Sequence, residues 1–377
     1  MKFNTKCVHG SGRPDSTGAI SPAIYMSSTF SHPKLGDTTG YQYTRESNPT
    51  RDRLEQLIAG LEDGKDALAF SSGMAAVDAV FHLFSPGDHI ILGDDLYGGS
   101  IRMFTNIYEQ NGIEFTYVGT SDLDAVKAAF KPNTKAVYIE TPTNPMMEIT
   151  DIRALCALAH ERNALVIIDN TFLSPYFQKP LTLGADIVVH SGTKFIGGHH
   201  DVISGFTIVK DDELAAKLRL TYKTVGACLS AMDSWLVIRG VKTLALRMEQ
   251  HQKNAIALAE WLKKQPKVTK VLFPGLREHP GYEINKAQTT GFGGMLSFEV
   301  DSEETAKKVL EGIELIQFAE SLGGTESLLT YPVTQTHPDL KPEDAERKGI
   351  TRRLLRLSVG IEDTDDLIAD LEQAFNK

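Results

Sequence analysis

The chain is organised around the stretch Ala185-Asp-Ile-Val-Val-His-Ser-Gly-Thr-Lys194, which joins an apolar run to a turn that ends in a lysine. The apolar run predicts a short buried strand over residues 187–189, and the Ser-Gly-Thr triplet predicts a turn. Lys194 is the candidate catalytic residue, because partial burial lowers the pKa of an amine and favours imine formation. Its neighbours Ser191 and Thr193 are candidate hydroxyl donors. Taken alone, the stretch also fits a lysine that reaches solvent from a strand end.

The composition is that of a soluble globular protein with two or three domains. The chain has 377 residues, of which 41% are hydrophobic and 23% charged, and a formal net charge of −10. An acidic chain without a basic stripe is unsuited to neutralising phosphates, so the sequence argues against a nucleic-acid binder. Small-molecule chemistry is favoured instead.

The cysteines and the N-terminus point to a reducing compartment. Cys7, Cys156 and Cys228 are widely spaced and form no CxxC pair, which argues against a disulfide framework and against a zinc site. The first nine residues lack the apolar segment of a secretion signal, and no run of about 18 apolar residues predicts a membrane span. We therefore expect a cytoplasmic protein that does not enter membranes.

From about residue 66 to 210, short β-rich runs alternate with helical segments, a pattern typical of a mostly parallel sheet covered by helices. The predicted strands cover residues 67–70, 89–92, 115–118, 136–139, 165–168 and 187–189. Ligands of such sheets lie beyond the carboxyl ends of the strands. The polar segments that follow these strands should therefore face one crevice, and they are residues 71–74, 94–97, 140–145, 169–171 and the lysine stretch.

These segments contain the groups that a pyridoxal 5′-phosphate site requires. Gly73 and Met74 open a predicted helix, whose free N–H groups and dipole favour a phosphate. Asp169 is suited to pair with the pyridine nitrogen and keep it protonated. Tyr97 is placed to stack on the ring and Asn144 to hydrogen-bond the ring oxygen. Each feature alone also fits a role that needs no cofactor, such as a helix cap or a solvated carboxylate.

The N-terminal region, residues 1–50, is rich in Gly, Pro, Ser and Thr and predicts an extended arm that must lie on another surface. Tyr43 and Arg45 lie near the end of the arm and resemble an anion clamp. The alternative is a turn whose charges are solvated. A pattern typical of a helix begins only after residue 51.

The second half predicts a smaller α+β domain, with a helix over residues 244–262 and strands within residues 293–300 and 355–359. We therefore divide the chain into the arm at 1–50, an α/β domain at 51–240 and a C-terminal domain at 241–377. Arg356 lies between two leucines, and its planar fork suits a substrate carboxylate. Alternation along a half-buried strand favours instead an arginine that points outward.

The ordered motifs of the chain resemble those of the Cys/Met-metabolism PLP-dependent enzymes, the transsulfuration family. They are Tyr43-Thr-Arg-Glu-Ser-Asn-Pro-Thr-Arg51, Ser71-Ser-Gly-Met-Ala-Ala76, Asp95-Leu-Tyr-Gly-Gly99, Glu140-Thr-Pro-Thr-Asn-Pro145, Ile168-Asp-Asn-Thr-Phe172, His190-Ser-Gly-Thr-Lys194, Glu320-Ser-Leu-Gly-Gly324 and Arg356-Leu-Ser-Val-Gly360. The resemblance covers nearly the whole chain. It implies the aminotransferase type I fold, pyridoxal 5′-phosphate as cofactor and a homotetramer made of two catalytic dimers.

The resemblance also implies roles for individual residues. Lys194 would bind the cofactor and shuttle protons, and Tyr97 would stack on the ring and help as an acid or base. Cofactor binding is implied for Asp169, Gly73, Met74, Ser191 and Thr193, with Tyr43 and Arg45 reaching the phosphate from the neighbouring subunit. Substrate binding is implied for Arg356, Asn144, Ser321, Glu320, Arg102 and Tyr43.

The implied reaction is α,γ-elimination of L-cystathionine to cysteine, 2-oxobutanoate and ammonia, with side activity on cysteine or homocysteine that releases hydrogen sulfide. Glu320 favours γ chemistry, because γ-acting members of the family commonly carry a glutamate there. The alternatives are γ-replacement, as in a γ-synthase or an O-acylhomoserine sulfhydrylase, and then β-elimination. Gln42 departs from the family, in which an acidic residue is common beside the clamp tyrosine.

Two functions of other classes are less well supported. A dehydrogenase is disfavoured because no G-x-G-x-x-G follows the first strand, and a PLP-binding regulator without activity because every expected catalytic position is filled. A metal site at His199-His200-Asp201 is disfavoured because no third ligand has a helpful spacing. The acidic run at residues 362–366 lacks the EF-hand glycine and distal glutamate and predicts the start of the C-terminal helix.

Overall fold

The computed structural model describes residues 1–12, 14–338 and 342–377. Its larger sheet has seven strands, β1 Asp66–Phe70, β2 His89–Gly93, β3 Glu114–Val118, β4 Thr134–Glu140, β5 Leu165–Asp169, β6 Ile187–Ser191 and β7 Gly205–Val209. The strand order is β1-β7-β6-β5-β4-β2-β3. All neighbours are parallel except at β7, which is antiparallel to β1 and β6. The predicted strands are confirmed, and β7 is a strand that the sequence did not predict.

The described α-helices are α1 Phe3–His9, α2 Pro49–Leu61, α3 Gly73–Phe81, α4 Gly98–Met103, α5 Leu123–Ala129, α6 Ile152–His160, α7 Ser174–Phe177, α8 Pro180–Leu183, α9 Asp212–Val225, α10 Ala231–Val241, α11 Leu244–Leu262, α12 Tyr282–Gln288, α13 Glu303–Gly312, α14 Pro342–Arg347 and α15 Thr364–Asn376, and a π-helical segment, Phe104–Tyr108, continues α4. Several begin at a polar residue whose side chain accepts a first-turn N–H. Asn48 caps α2 and Ser72 caps α3 in this way. The predictions for residues 244–262 and for the C-terminal helix are confirmed.

The smaller sheet has five strands, β8 Val268–Leu272, β9 Met295–Val300, β10 Gln317–Phe318, β11 Leu328–Thr330 and β12 Leu354–Ser358. Its order is β10-β11-β12-β9-β8, and only β10 and β11 are parallel. Arg356 therefore lies on the central strand, beside Ser297 of β9 and Thr330 of β11. The expected mostly parallel sheet with a smaller α+β unit is confirmed.

Helix α11 connects the two sheets. Its first turns place Leu244 and Met248 in the core that covers the larger sheet. Its later turns place Leu258 and Leu262 in the core of the smaller sheet. Burial of apolar surface contributes about 25 cal/mol per Å². Because α11 buries apolar side chains in both cores, it holds the smaller sheet over the carboxyl ends of the larger sheet.

The expectation of an extended arm is wrong at the start of the chain, where α1 packs on the body of the protein. Cys7 of α1 is 2% exposed and lies in the same core as Leu57 of α2. Later in the arm, Thr50 donates to the Ala23 carbonyl and Trp235 to the Pro22 carbonyl, whereas Leu35 is fully exposed. A short helix with one buried face shows no long period in sequence, which is why the prediction missed it.

Candidate active site

A cavity of about 820 Å³ lies where the two sheets meet. Residues from all five polar segments that follow the strands of the larger sheet line it, as expected for parallel strands that end at one edge. The candidate site residues that line it are Gly73, Met74, Tyr97, Asn144, Asp169, Ser191, Thr193, Lys194, Glu320, Ser321 and Arg356. The volume suits a cofactor together with an amino acid.

The start of α3 forms a phosphate-sized cradle at one end of the cavity. Helix geometry leaves the first N–H groups, including those of Gly73 and Met74, without acceptors inside the helix. A Cβ at Gly73 would lie 2.9 Å from the Cβ of Ser191, so only glycine allows this close approach of α3 and β6. The Ser191 hydroxyl borders the same space. Free N–H groups and hydroxyls at a helix N-terminus are donors that bind a phosphate.

Lys194 projects into the cavity from the turn after β6. The turn is closed by hydrogen bonds from the Lys194 N–H to the Ser191 carbonyl and from the Gly198 N–H to the Lys194 carbonyl. Burial, with a smaller contribution from the charge of Arg356, lowers the pKa of the Lys194 amine to about 8. The amine donates a hydrogen bond of 2.7 Å to the Ser321 hydroxyl. The neutral, nucleophilic form of this lysine is therefore far more populated at neutral pH than in an ordinary exposed lysine.

Asp169 ends β5 on the floor of the cavity. Thr171 donates to one of its carboxylate oxygens from both the backbone N–H, at 3.0 Å, and the hydroxyl, at 2.5 Å. Burial nevertheless raises the pKa of this carboxyl, and the nearby His190 opposes the rise. A carboxylate held in this way is stabilised by a cationic partner in the cavity, such as a protonated ring nitrogen.

Tyr97 lies at the start of α4 with 40% of its surface exposed to the cavity side and solvent. Its backbone N–H donates to the Glu140 carboxylate at 3.0 Å, which fixes the start of the helix. Burial, together with the charges of Asp169 and Asp95, raises the pKa of Glu140 well above its usual value. An exposed aromatic ring on a fixed backbone can stack on a planar cofactor.

Arg356 points into the cavity rather than outward. It is 1% exposed and donates to Asn144 Oδ1 at 2.8 Å, to the Ser321 carbonyl at 3.0 Å and to Thr330 Oγ1 at 3.2 Å. Its Nε–H is buried and has no hydrogen-bond partner among the described residues. Burial lowers its pKa to about 10, so the guanidinium stays charged at neutral pH. A buried cation with an unused donor is suited to a small carboxylate.

Three candidate residues are not brought to the cavity by this chain. Tyr43 is 46% exposed on the arm, and Arg45 lies 5.5 Å over its ring and donates to the Lys223 carbonyl. Arg102 is exposed on α4 and is not among the residues that line the cavity. Substrate binding by Arg102 therefore stays a prediction from the resemblance.

A buried polar network beneath the cavity was not anticipated. His190 Nε2 lies 2.6 Å from Glu62 Oε1, and Asn170 donates to the same oxygen at 2.8 Å. Gln178 donates to Asn170 Oδ1 at 3.0 Å. His190 adjoins Ser191 and Asn170 adjoins Asp169, so the network braces both strand ends. The sequence signal for this network is the histidine that interrupts the apolar strand β6, because a buried polar side chain needs a hydrogen-bond partner.

The residues present fit pyridoxal 5′-phosphate. The glycine-lined helix start supplies phosphate donors, Lys194 supplies a neutral amine, and Asp169 supplies an anion on the same cavity floor. The described residues contain no group of three or more His, Cys, Asp or Glu side chains that could hold a metal ion. No helix in the described part of the chain is long and apolar enough to cross a membrane.

The sequence matches the family described as Cys/Met metabolism PLP-dependent enzyme over residues 4–376. The chain therefore belongs to this family. It is a pyridoxal-phosphate-dependent carbon–sulfur lyase with the type I fold, as the motifs implied.

Relatives of known name divide among several reactions. A cystathionine beta-lyase from Lactococcus lactis subsp. cremoris is 48% identical over 100% of this chain and 99% of its own length. A cystathionine gamma-synthase from Haemophilus influenzae is 48% identical over 97% of this chain and 95% of its own length. The crystal structure of a cystathionine gamma-lyase from Lactobacillus plantarum complexed with L-serine matches with a TM-score of 0.98 and 48% identity, over 100% of this chain and 99% of that chain.

Proposed function

We propose that the protein catalyses α,γ-elimination of L-cystathionine, in which cystathionine and water give cysteine, 2-oxobutanoate and ammonia. The observation that carries this proposal is the position of Glu320, which lines the same cavity as Lys194 and Arg356. Burial lowers the pKa of Lys194 and of Arg356, and the charge of Glu320 partly offsets this lowering at both. A carboxylate in the same cavity as the reacting lysine can hold the far ammonium group of a bis-amino acid.

Arg356 supports the binding of the substrate at its reacting end. Its partnerless Nε–H and its Nη groups can form a two-point contact with the α-carboxylate, while Asn144 and Ser321 keep the guanidinium in place. This contact would fix which carbon of the substrate faces Lys194. Fixed orientation is worth several kcal/mol of the barrier when the reacting atoms are held within about 3.5 Å.

Lys194 is the proposed base for both proton transfers that γ-elimination requires. Bound pyridoxal 5′-phosphate supplies an electron sink conjugated to the α-carbon. Lys194 would take the proton from the α-carbon and pass it to the cofactor. It would then be free to take a proton from the β-carbon, and the γ-thiolate would depart as the β,γ double bond forms. A base with a pKa near the working pH performs such transfers well. Ser321 orients the amine, and Tyr97 borders the cavity as a second acid or base.

The arm supports a proposed site shared between two copies of the chain. Tyr43 and Arg45 are exposed and lie outside the cavity of their own chain, and several apolar side chains of the arm are exposed as well, namely Ile20, Met26 and Leu35. We propose that Tyr43 and Arg45 contact the phosphate of a neighbouring subunit within a homotetramer of two catalytic dimers.

We also propose that the chain divides into the arm at 1–50, an α/β domain at 51–240 and a C-terminal domain at 241–377, and that the protein is cytoplasmic.

A substrate panel tests the proposed reaction. The purified holoenzyme is supplied separately with cystathionine, homocysteine, cysteine, and an O-acylhomoserine with cysteine. We expect 2-oxobutanoate and cysteine from cystathionine, and slower release of hydrogen sulfide from homocysteine or cysteine. Faster formation of cystathionine from the O-acylhomoserine than its cleavage would make γ-replacement the main reaction and overturn the proposal.

A further inference from the structure

The loop between β6 and β7 carries two adjacent histidines with different surroundings. His199 Nδ1 lies 2.8 Å from the Gly197 carbonyl, so this ring is bonded within its own loop. His200 lines the cavity, its side chain is 25% exposed, and neither of its ring nitrogens forms a hydrogen bond among the described residues. Of the two histidines, only His200 therefore lines the cavity, where its ring can contact a ligand.

The backbone and the packing fix His200 in this orientation. Its φ of +56° is in the left-handed region, which few residues other than glycine adopt. Its ring packs on Gly324, where a Cβ would lie 2.0 Å from His200 Nε2. Gly324 ends the segment that begins at Glu320, so His200 lies against the same wall of the cavity that carries Glu320 and Ser321.

The charges at this part of the cavity are otherwise acidic. Glu320 and Asp201 line it, and the nearest ionic partner of His200 is Glu326, with Nε2 3.9 Å from Oε2. Acidic groups suit the far ammonium of cystathionine but repel its far carboxylate. Among the described residues, Lys194 and Arg356 are the lysine and arginine that line the cavity, and the proposed reaction occupies both at the reacting end. The carboxylate at the other end therefore needs a separate donor.

On the basis of the proposed function, we infer that His200 is a specificity-determining residue that binds the far carboxylate of a bis-amino acid thioether, while Glu320 binds its ammonium group. An imidazole N–H can donate a hydrogen bond to a carboxylate, and a bond to an ionised acceptor is stronger than one between neutral groups. The side chain is only partly buried, so its loss should weaken recognition roughly three- to tenfold.

Three thioether probes test the inference with the holoenzyme. The first is L-cystathionine, the second is S-(2-carboxyethyl)-L-homocysteine, which lacks the far ammonium, and the third is S-(2-aminoethyl)-L-homocysteine, which lacks the far carboxylate. We expect His200→Gln to lower kcat/KM for the two carboxylate-bearing probes three- to tenfold more than for the aminoethyl probe, mainly through KM. We expect His200→Arg to restore the preference. Glu320→Gln should show the opposite selectivity, with the larger loss on the aminoethyl probe.

His199→Gln is the matched control, because it is the same substitution one residue away on a ring that does not line the cavity. It should change kcat/KM for all three probes by the same factor. Equal losses on all three probes in His200→Gln, or no loss, would overturn the inference. If the wild-type enzyme releases 2-oxobutanoate from none of the three probes, the proposed γ-elimination is overturned instead. Failure of the His200 inference and failure of the proposed function are therefore distinguishable.

Discussion

The Lys194 amine and the Ser321 hydroxyl are 2.7 Å apart, across the boundary between the two sheets. Ser321 has a φ of +102°, a conformation that only glycine adopts without strain, and its carbonyl accepts from Arg356. One residue therefore connects the proposed base with the proposed carboxylate-binding arginine. The strained backbone directs its hydroxyl to the former and its carbonyl to the latter.

Replacing Ser321 separates the two contributions. Ser321→Ala and Ser321→Gly both remove the hydroxyl, so both should lower kcat about tenfold, as expected for loss of one orienting hydrogen bond. Glycine also relieves the backbone strain, which costs on the order of 1–3 kcal/mol. We expect a higher melting temperature for Ser321→Gly than for Ser321→Ala by scanning calorimetry. Unchanged kcat in both variants would contradict the orienting role.

The lowered pKa of Lys194 predicts how cofactor-free protein takes up pyridoxal 5′-phosphate. Only the neutral amine attacks the cofactor aldehyde, so the rate of uptake should rise with pH and level off above about 8, since burial lowers the pKa to about 8. Glu320 raises this pKa, and Glu320→Gln should therefore move the profile to lower pH. Stopped-flow absorbance measures the rate. A rise that continues to pH 10 would show an ordinary exposed lysine.

Asp169→Asn should have opposite effects on the cofactor-free protein and on cofactor binding. Burial raises the pKa of Asp169, so the folded state binds more protons than the unfolded state, and stability is lost as pH rises through this window. At neutral pH the charged carboxylate is a cost, and its removal should raise the melting temperature of the cofactor-free protein. The same change should weaken cofactor binding roughly tenfold or more, because the ring nitrogen loses its anion. A lower melting temperature with unchanged affinity would indicate a purely structural residue.

The proposed shared site predicts complementation between two inactive proteins. Lys194→Ala should fold but lose turnover and the borohydride-sensitive absorbance, and Arg45→Ala should lose turnover through weaker phosphate binding. Hybrid dimers contain one site with both native residues, so mixing the two proteins should restore part of the activity. Subunit exchange is verified first by native mass spectrometry. No recovery after proven exchange would place the clamp within its own chain or outside the site.

The sequence allowed prediction of the cavity floor because parallel strands that end at one edge must present their next residues together. Residues as far apart as Gly73 and Lys194 were grouped correctly for this reason alone. Alternation alone favoured an outward Arg356, but every residue of β12 is buried between β9 and β11, so alternation does not apply to this strand. The antiparallel β7 and the exposed position of Arg102 depend on tertiary packing, which overrides local pattern.

His200 shows a different limit of sequence reasoning. The histidine pair was interpreted only as a weak metal motif, because neighbouring side chains in a loop have no fixed relation in sequence. Its distinction from His199 comes from a left-handed backbone and from a glycine 124 residues further on, which lets the ring approach the wall. A contact between residues so far apart in the chain leaves no local sequence pattern.

The ratio of 2-oxobutanoate to pyruvate formed from L-cystathionine tests the central claim most directly. With Glu320 holding the far ammonium, the homocysteine side of the substrate faces Lys194, and 2-oxobutanoate should exceed pyruvate several-fold, since a partly exposed charge pair contributes on the order of 1 kcal/mol. Glu320→Gln should bring the ratio closer to one. A wild-type enzyme that forms mainly pyruvate would contradict the γ-elimination proposed here.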